Sequence, residues 1–110
     1  MSRSLLTLVS ASVVLAVASM VPAHAAVDAD AAQALFKKNK CGTCHAPDKT
    51  KSGPSLKCIA AEHKGKADGQ DKVVKQISAA PKLKAGGEHP AIDTKDAKEL
   101  KNLADWILAQ

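Results

Sequence analysis

Two cysteines three positions apart, followed at once by a histidine, stand at Cys41-Gly42-Thr43-Cys44-His45 of this 110-residue chain. Thiolates are nucleophiles and soft ligands, and neutral imidazole is the commonest metal ligand. The spacing narrows the chemistry further. Two thiols can add to the two vinyl groups of a porphyrin and form thioethers along one edge of the ring. The chain between them must then turn tightly, and Gly42 and Thr43 are small enough to allow it. The adjacent His45 reaches beneath the ring and ligates iron from the proximal side. C-x-x-C-H is accordingly the attachment signature of a c-type haem. A second stretch, Gly86-Gly87-Glu88-His89-Pro90, places another imidazole in a loop, where it can serve the far side of the metal.

Other chemistries of the same residues fit less well. A thioredoxin-like redox pair wants a βαβ setting, and no segment has strand periodicity. A structural zinc site wants four ligands, usually as a second Cys/His pair. Cys58, His63 and His89 are available, but their spacing matches no common zinc pattern. The cysteine count is odd, Cys41, Cys44 and Cys58, which argues against a plain disulfide framework. Cys58 reads as a half-buried small apolar residue on a helix. In an oxidising compartment the alternative is an intermolecular disulfide, so the protein is expected as a monomer or a Cys58-linked dimer; gel mobility with and without reductant separates the two.

The amino terminus has the three-part layout of a secretory leader. A basic start, Met1-Ser2-Arg3-Ser4, precedes the apolar run Leu5–Val21 and the A-x-A site Ala23-His24-Ala25. Cleavage is expected after Ala25. An uncleaved anchor is the alternative, but a comfortable span needs about 20 apolar residues, and Pro22 with the small-residue site favours removal. The expected organisation is a leader at 1–25 and one domain at 26–110, exported to the periplasm and without stable membrane insertion. Covalent c-type haem is made outside the cytoplasm, so the compartment agrees with the motif.

A domain of this size has a thin core and usually needs a staple. The chain has one Phe, one Trp and no Tyr, so a bulky cofactor would supply much of the interior. Helical spacing predicts segments over Asp28–Lys40, Pro54–Lys64, Asp71–Ala80 and Thr94 or Lys95 to about Ala109. Their inward residues are expected to be Ala31, Ala34, Leu35 and Phe36; Leu56, Ile59 and Ala60; Val73, Val74 and Ile77; and Leu100, Leu103, Trp106 and Ile107. Pro, Gly and charged residues between them mark loops. The fold class is all-α, four to five short helices around one covalently bound haem.

The formal net charge is +5, and beyond Arg3 every Lys/Arg position is lysine. Scattered lysines suit brief docking to acidic protein partners better than the bidentate phosphate recognition that favours arginine, so no nucleic-acid partner is expected. Lys37, Lys38, Lys40, Lys49 and Lys51 are the docking candidates nearest the C-x-x-C-H motif. No paired carboxylates and no Ser-His-Asp arrangement stand out, so the chain does not read as an enzyme.

Residues 35–66, from Leu35-Phe36 through Cys41–His45 and Gly53-Pro54 to Gly65, resemble the amino-terminal half of the small bacterial class I cytochromes c. "AKELKNLADWILAQ" is similar to that family's final helix, with its Trp near the end. The resemblance covers essentially all of 26–110. It implies the cytochrome c fold, with first and last helices crossing near the haem edge. It also implies that the Pro54 carbonyl accepts a hydrogen bond from His45 and orients its ring.

The family usually ligates the distal side of iron with the methionine of a Met-Pro pair. Here the methionines are Met1 and Met20 alone, both in the leader, and His89-Pro90 stands in the Met-Pro position. His89 is therefore the expected distal ligand, with His63, Lys82, Lys84 or an open site as alternatives. A second imidazole in place of a thioether favours ferric iron and a lower potential. The expected function is a soluble periplasmic electron carrier. A sensing protein with a displaceable His89, or the haem subunit of a larger oxidoreductase, is the alternative.

Overall fold

The computed structural model of the protein describes residues 26–110, so the leader expected at 1–25 lies outside it. Among the described residues there are four α-helices and no strand: α1 Ala29–Lys38, α2 Leu56–His63, α3 Gly69–Ser78 and α4 Ala97–Leu108. No described helix is long and apolar enough to cross a membrane.

Three of the four helices, α1, α2 and α4, begin where a polar side chain satisfies a free N–H group. The Asp28 carboxylate accepts from the Ala31 amide, Ser55 Oγ from the Cys58 amide, and the Asp96 carboxylate from the Lys98 amide. These caps start α1, α2 and α4 one to three residues later than the composition alone predicts. α3 starts two residues earlier, at Gly69. Its first N–H groups have no intrahelical partner in any case, so a glycine costs little there.

α4 is the organising element and packs against α1, α2 and α3. Its Leu103 and Ala104 are almost fully buried, and Leu100 and Ile107 extend the same stripe. Leu56 and Ala60 of α2, with Val73 and Ile77 of α3, close around it as the spacing predicts. The inward face of α1 differs from the expected one. Ala32 is buried while Ala31 and Ala34 are exposed. The continuous stripe is Ala32–Leu35–Phe36–Asn39, because the larger Leu and Phe set the rotation of the helix and the small alanines follow. Where α1 and α4 meet, Phe36 and Trp106 pack edge to face with centroids 5.5 Å apart.

Candidate haem site

α1 ends at Asn39, and Lys40 takes a left-handed conformation with φ of 55°. That reversal opens a 3-10 turn at Cys41–Thr43, in which the Cys44 and His45 amides both donate to the Cys41 carbonyl, at 3.1 and 3.0 Å. The turn brings both thiols onto one short arc and delivers His45 directly after it. Burial, foremost, pushes the Cys41 thiol up, so it is held as a neutral thiol at pH 7. The Lys51 ammonium donates to the Gly42 carbonyl at 3.0 Å and braces the turn from outside.

The His45 ring is fixed from two sides. Its Nδ1 lies 2.7 Å from the Pro54 carbonyl oxygen. A carbonyl only accepts, so Nδ1 carries a proton and Nε2 is the nitrogen left for a metal. Beneath the ring runs Gly53. A Cβ at that position would stand 2.6 Å from His45 Cε1 and 2.9 Å from Nδ1, so only glycine leaves the ring its place. Gly53 in turn donates its amide to the Cys44 carbonyl at 2.9 Å.

His89 comes from the loop between α3 and α4. Lys82 and Glu88 bridge this loop as a narrow hairpin, with the Leu83 amide bonded to the Gly87 carbonyl at 2.9 Å. Gly86 and Gly87 turn it with φ of 96° and 80°, a conformation that strains other residues. The His89 amide donates to the Pro81 carbonyl at 2.9 Å, which anchors the residue's backbone. Burial, foremost, lowers the pKa of its imidazole, with nearby His45 acting in the same direction. The ring is therefore neutral at pH 7, the state that can bind a metal.

The two rings face one another with centroids 6.0 Å apart and planes inclined by 40°. A metal–imidazole bond is about 2 Å long; two such bonds plus half a ring on each side give a separation of this order. Among the described residues no group of three or more His, Cys, Asp or Glu side chains could hold a bare ion. The donor set is two imidazoles and two thiols on an adjacent turn. It fits a metal that brings its own equatorial ligands and is tethered through sulfur, which is what haem c requires.

The remaining sequence candidates fall elsewhere. His63 closes α2, with its Nδ1 buried and unpaired, and the ring beside His45 is that of His89. Lys82 and Lys84 are exposed on the hairpin. Cys58 is exposed rather than half-buried, because Leu56 and Ala60 turn inward and it lies between them on the opposite side of α2. Of the docking lysines, Lys38 pairs with Asp93 at 3.0 Å and Lys51 braces the turn. One contributor had no role assigned from sequence, Asn39, which reaches Asp93 beyond the distal loop, and Lys51, expected only as a docking lysine, braces the turn instead. A lone Asn before C-x-x-C-H is an ordinary helix end, and nothing local marks its long-range partner.

Comparison with known proteins agrees with this geometry. The profile of the family described as Cytochrome c matches residues 29–110. Cytochrome c-552 of Nitrosomonas europaea is 37% identical over 99 residues, covering 83% of this chain and 85% of that protein. Cytochrome c-551 of Azotobacter vinelandii is 36% identical over 81 residues, covering 67% of this chain and 90% of its own. The crystal structure of the class 1 cytochrome MtoD from Sideroxydans lithotrophicus ES-1 superimposes with a TM-score of 0.67 at 42% identity, over 76% of this chain and 97% of that one.

Proposed function

Since this chain belongs to the cytochrome c family as a small class I member with one covalent haem c and an electron-transfer function, we propose that it is a periplasmic carrier with bis-histidine ligation, its haem bound by Cys41 and Cys44 and ligated by His45 and His89. The haem supplies a one-electron ferric/ferrous couple, and axial imidazoles on both sides leave no position for a substrate. The observation that carries the reading is the pair of imidazole rings set beside each other with centroids 6.0 Å apart.

The protein's own groups tune that couple. Pro54 accepts the Nδ1 proton of His45, which orients the ring and makes Nε2 the more basic donor. His89 replaces a thioether with a nitrogen donor that favours ferric iron, so the potential lies below that of methionine-ligated relatives. The backbone of His89 is tied to Pro81 at the base of the hairpin, which limits the movement of the residue. Lysines around the attachment turn guide short encounters with acidic redox partners. Removal of 1–25 after Ala25 delivers the domain to the periplasm.

The test is the optical spectrum of purified holoprotein, ferric and ferrous, with and without carbon monoxide, beside His89→Met. The expected wild-type spectrum is low-spin, lacks a methionine–iron charge-transfer band and is inert to carbon monoxide. His89→Met should gain that band and raise the potential by a fraction of the roughly 0.8 V that axial ligands span. A high-spin ferric spectrum at neutral pH would falsify the bis-histidine reading.

A further inference from the structure

α1 is pinned at both ends by reciprocal asparagine pairs. At its start, Asn102 of α4 accepts from the Asp28 amide at 2.8 Å and donates to the Asp28 carbonyl at 2.9 Å. At its end, Asn39 Oδ1 accepts from the Asp93 amide at 3.0 Å, and Asn39 Nδ2 donates to Leu35 O at 3.0 Å and to the Asp93 carboxylate at 3.3 Å. The first pair joins two helices far along the chain from the metal ligands. The second joins the residue two before Cys41 to the residue four after His89.

The position of the second pair matters because of where the other anchors go. His89 donates its amide to Pro81, and Ile92 donates its amide to Ile77 at 2.8 Å. Both tie the distal segment to α3 and the loop that follows it. Among the described residues, the Asn39 pair and the Lys38–Asp93 ion pair are the only hydrogen bonds or ion pairs between residues 26–55 and 79–96. The ion pair is the weaker link, since its side chains are 67% and 50% exposed and water screens them. The amide pair uses a main-chain N–H, which moves only when the segment itself moves.

We propose that Asn39, through the main chain of Asp93, is a positioning residue that holds the His89 segment at ligating distance from the haem attached at Cys41 and Cys44. The proposal rests on the reading of His89 as distal ligand. Without the clasp the attachment turn follows α1 and the distal segment follows α3, and only the exposed Lys38–Asp93 ion pair still spans them. His89 then leaves the iron more often, and a small ligand enters more often behind it.

The experiment uses holoprotein and the matched clasp as control. Wild type, Asn39→Ala, Asp93→Ala and Asn102→Ala are reduced, and carbon monoxide association is followed by stopped flow. Amide exchange at Asp93 and thermal unfolding are measured beside it. Asn39→Ala should bind carbon monoxide roughly five- to tenfold faster than wild type, the factor given by losing one or two ordinary hydrogen bonds. Its Asp93 amide should exchange faster by a similar factor. Asp93→Ala keeps the main-chain bond to Asn39 and should stay near the wild-type rate. Asn102→Ala should melt at a lower temperature yet bind carbon monoxide at the wild-type rate. If Asn39→Ala does not retain haem, Asn39→Ser is read in its place with the same expectation. An unchanged rate in the Asn39 variant, with a wild type that excludes carbon monoxide, overturns the clasp alone. Equal acceleration in Asn102→Ala also overturns it, as general loosening. Immediate binding by the wild type removes the distal-ligand reading and this proposal with it.

Discussion

At His45 the neighbours decide which ring nitrogen stays free of a protein partner. The Pro54 carbonyl claims Nδ1, and Gly53 leaves the only room in which the ring can lie. The second of these is testable apart from ligation. Gly53→Ala puts a methyl group 2.6 Å from His45 Cε1, so the ring or the 51–54 backbone must shift. Overpacking of this kind costs about 1–3 kcal/mol. Denaturant unfolding of the holoprotein should show that loss, together with a perturbed ferric spectrum; unchanged stability and spectrum would mean that the loop yields freely. The cysteines, His45 and His89-Pro90 are legible as letters in the sequence. The need for Gly53 is a close approach between residues eight apart, and only coordinates show what a Cβ would strike.

Among the elements, α4 carries the largest share of the apolar core. Leu103 is 1% exposed, on the helix that packs against the other three. Leu103→Ala should lower stability by about 2–5 kcal/mol, measured by chemical denaturation, since the close-packed neighbours cannot collapse into the space. The junction of α1 with the distal segment has a pH signature. The Lys38 ammonium, foremost, holds the Asp93 carboxyl below the usual carboxylate range, and Asn39 helps. A folded-state pKa below the unfolded one means that the ionised form stabilises. The contribution is complete above the unfolded value of about 3.9 and disappears as pH falls through the folded value. Asp93→Asn should therefore be less stable than wild type at pH 7, with the difference vanishing in acid. A difference that persists at low pH would assign the effect to shape rather than charge. Helix existence and order follow from apolar spacing, and the starts of α1, α2 and α4 lie one to three residues later than composition suggests because the capping bonds set them. On α1 the alanine pattern pointed to the wrong face, since alanines bury too little surface to set a helix's rotation.

For the molecule as a whole, the excess of lysine, a formal net charge of +5, is the feature that a partner feels first. Electron exchange with an acidic redox partner should slow as ionic strength rises from 10 to 150 mM, because the Debye length shrinks from about 30 to 8 Å. A rate independent of salt would remove the steering role of Lys37, Lys40 and Lys49. The sequence by itself determined the cofactor, its thioether attachment, the all-helical class and the absence of a methionine after Met20. These follow from residue identity and short-range spacing, which need no fold to be read. Only the tertiary structure decided that His89 rather than His63 faces His45, that Cys58 points outward, and that Asn39 reaches Asp93. Each of these is a meeting or a facing of residues set by how three helices settle around α4, and the packing that fixes it is cooperative. No local stretch of sequence encodes it.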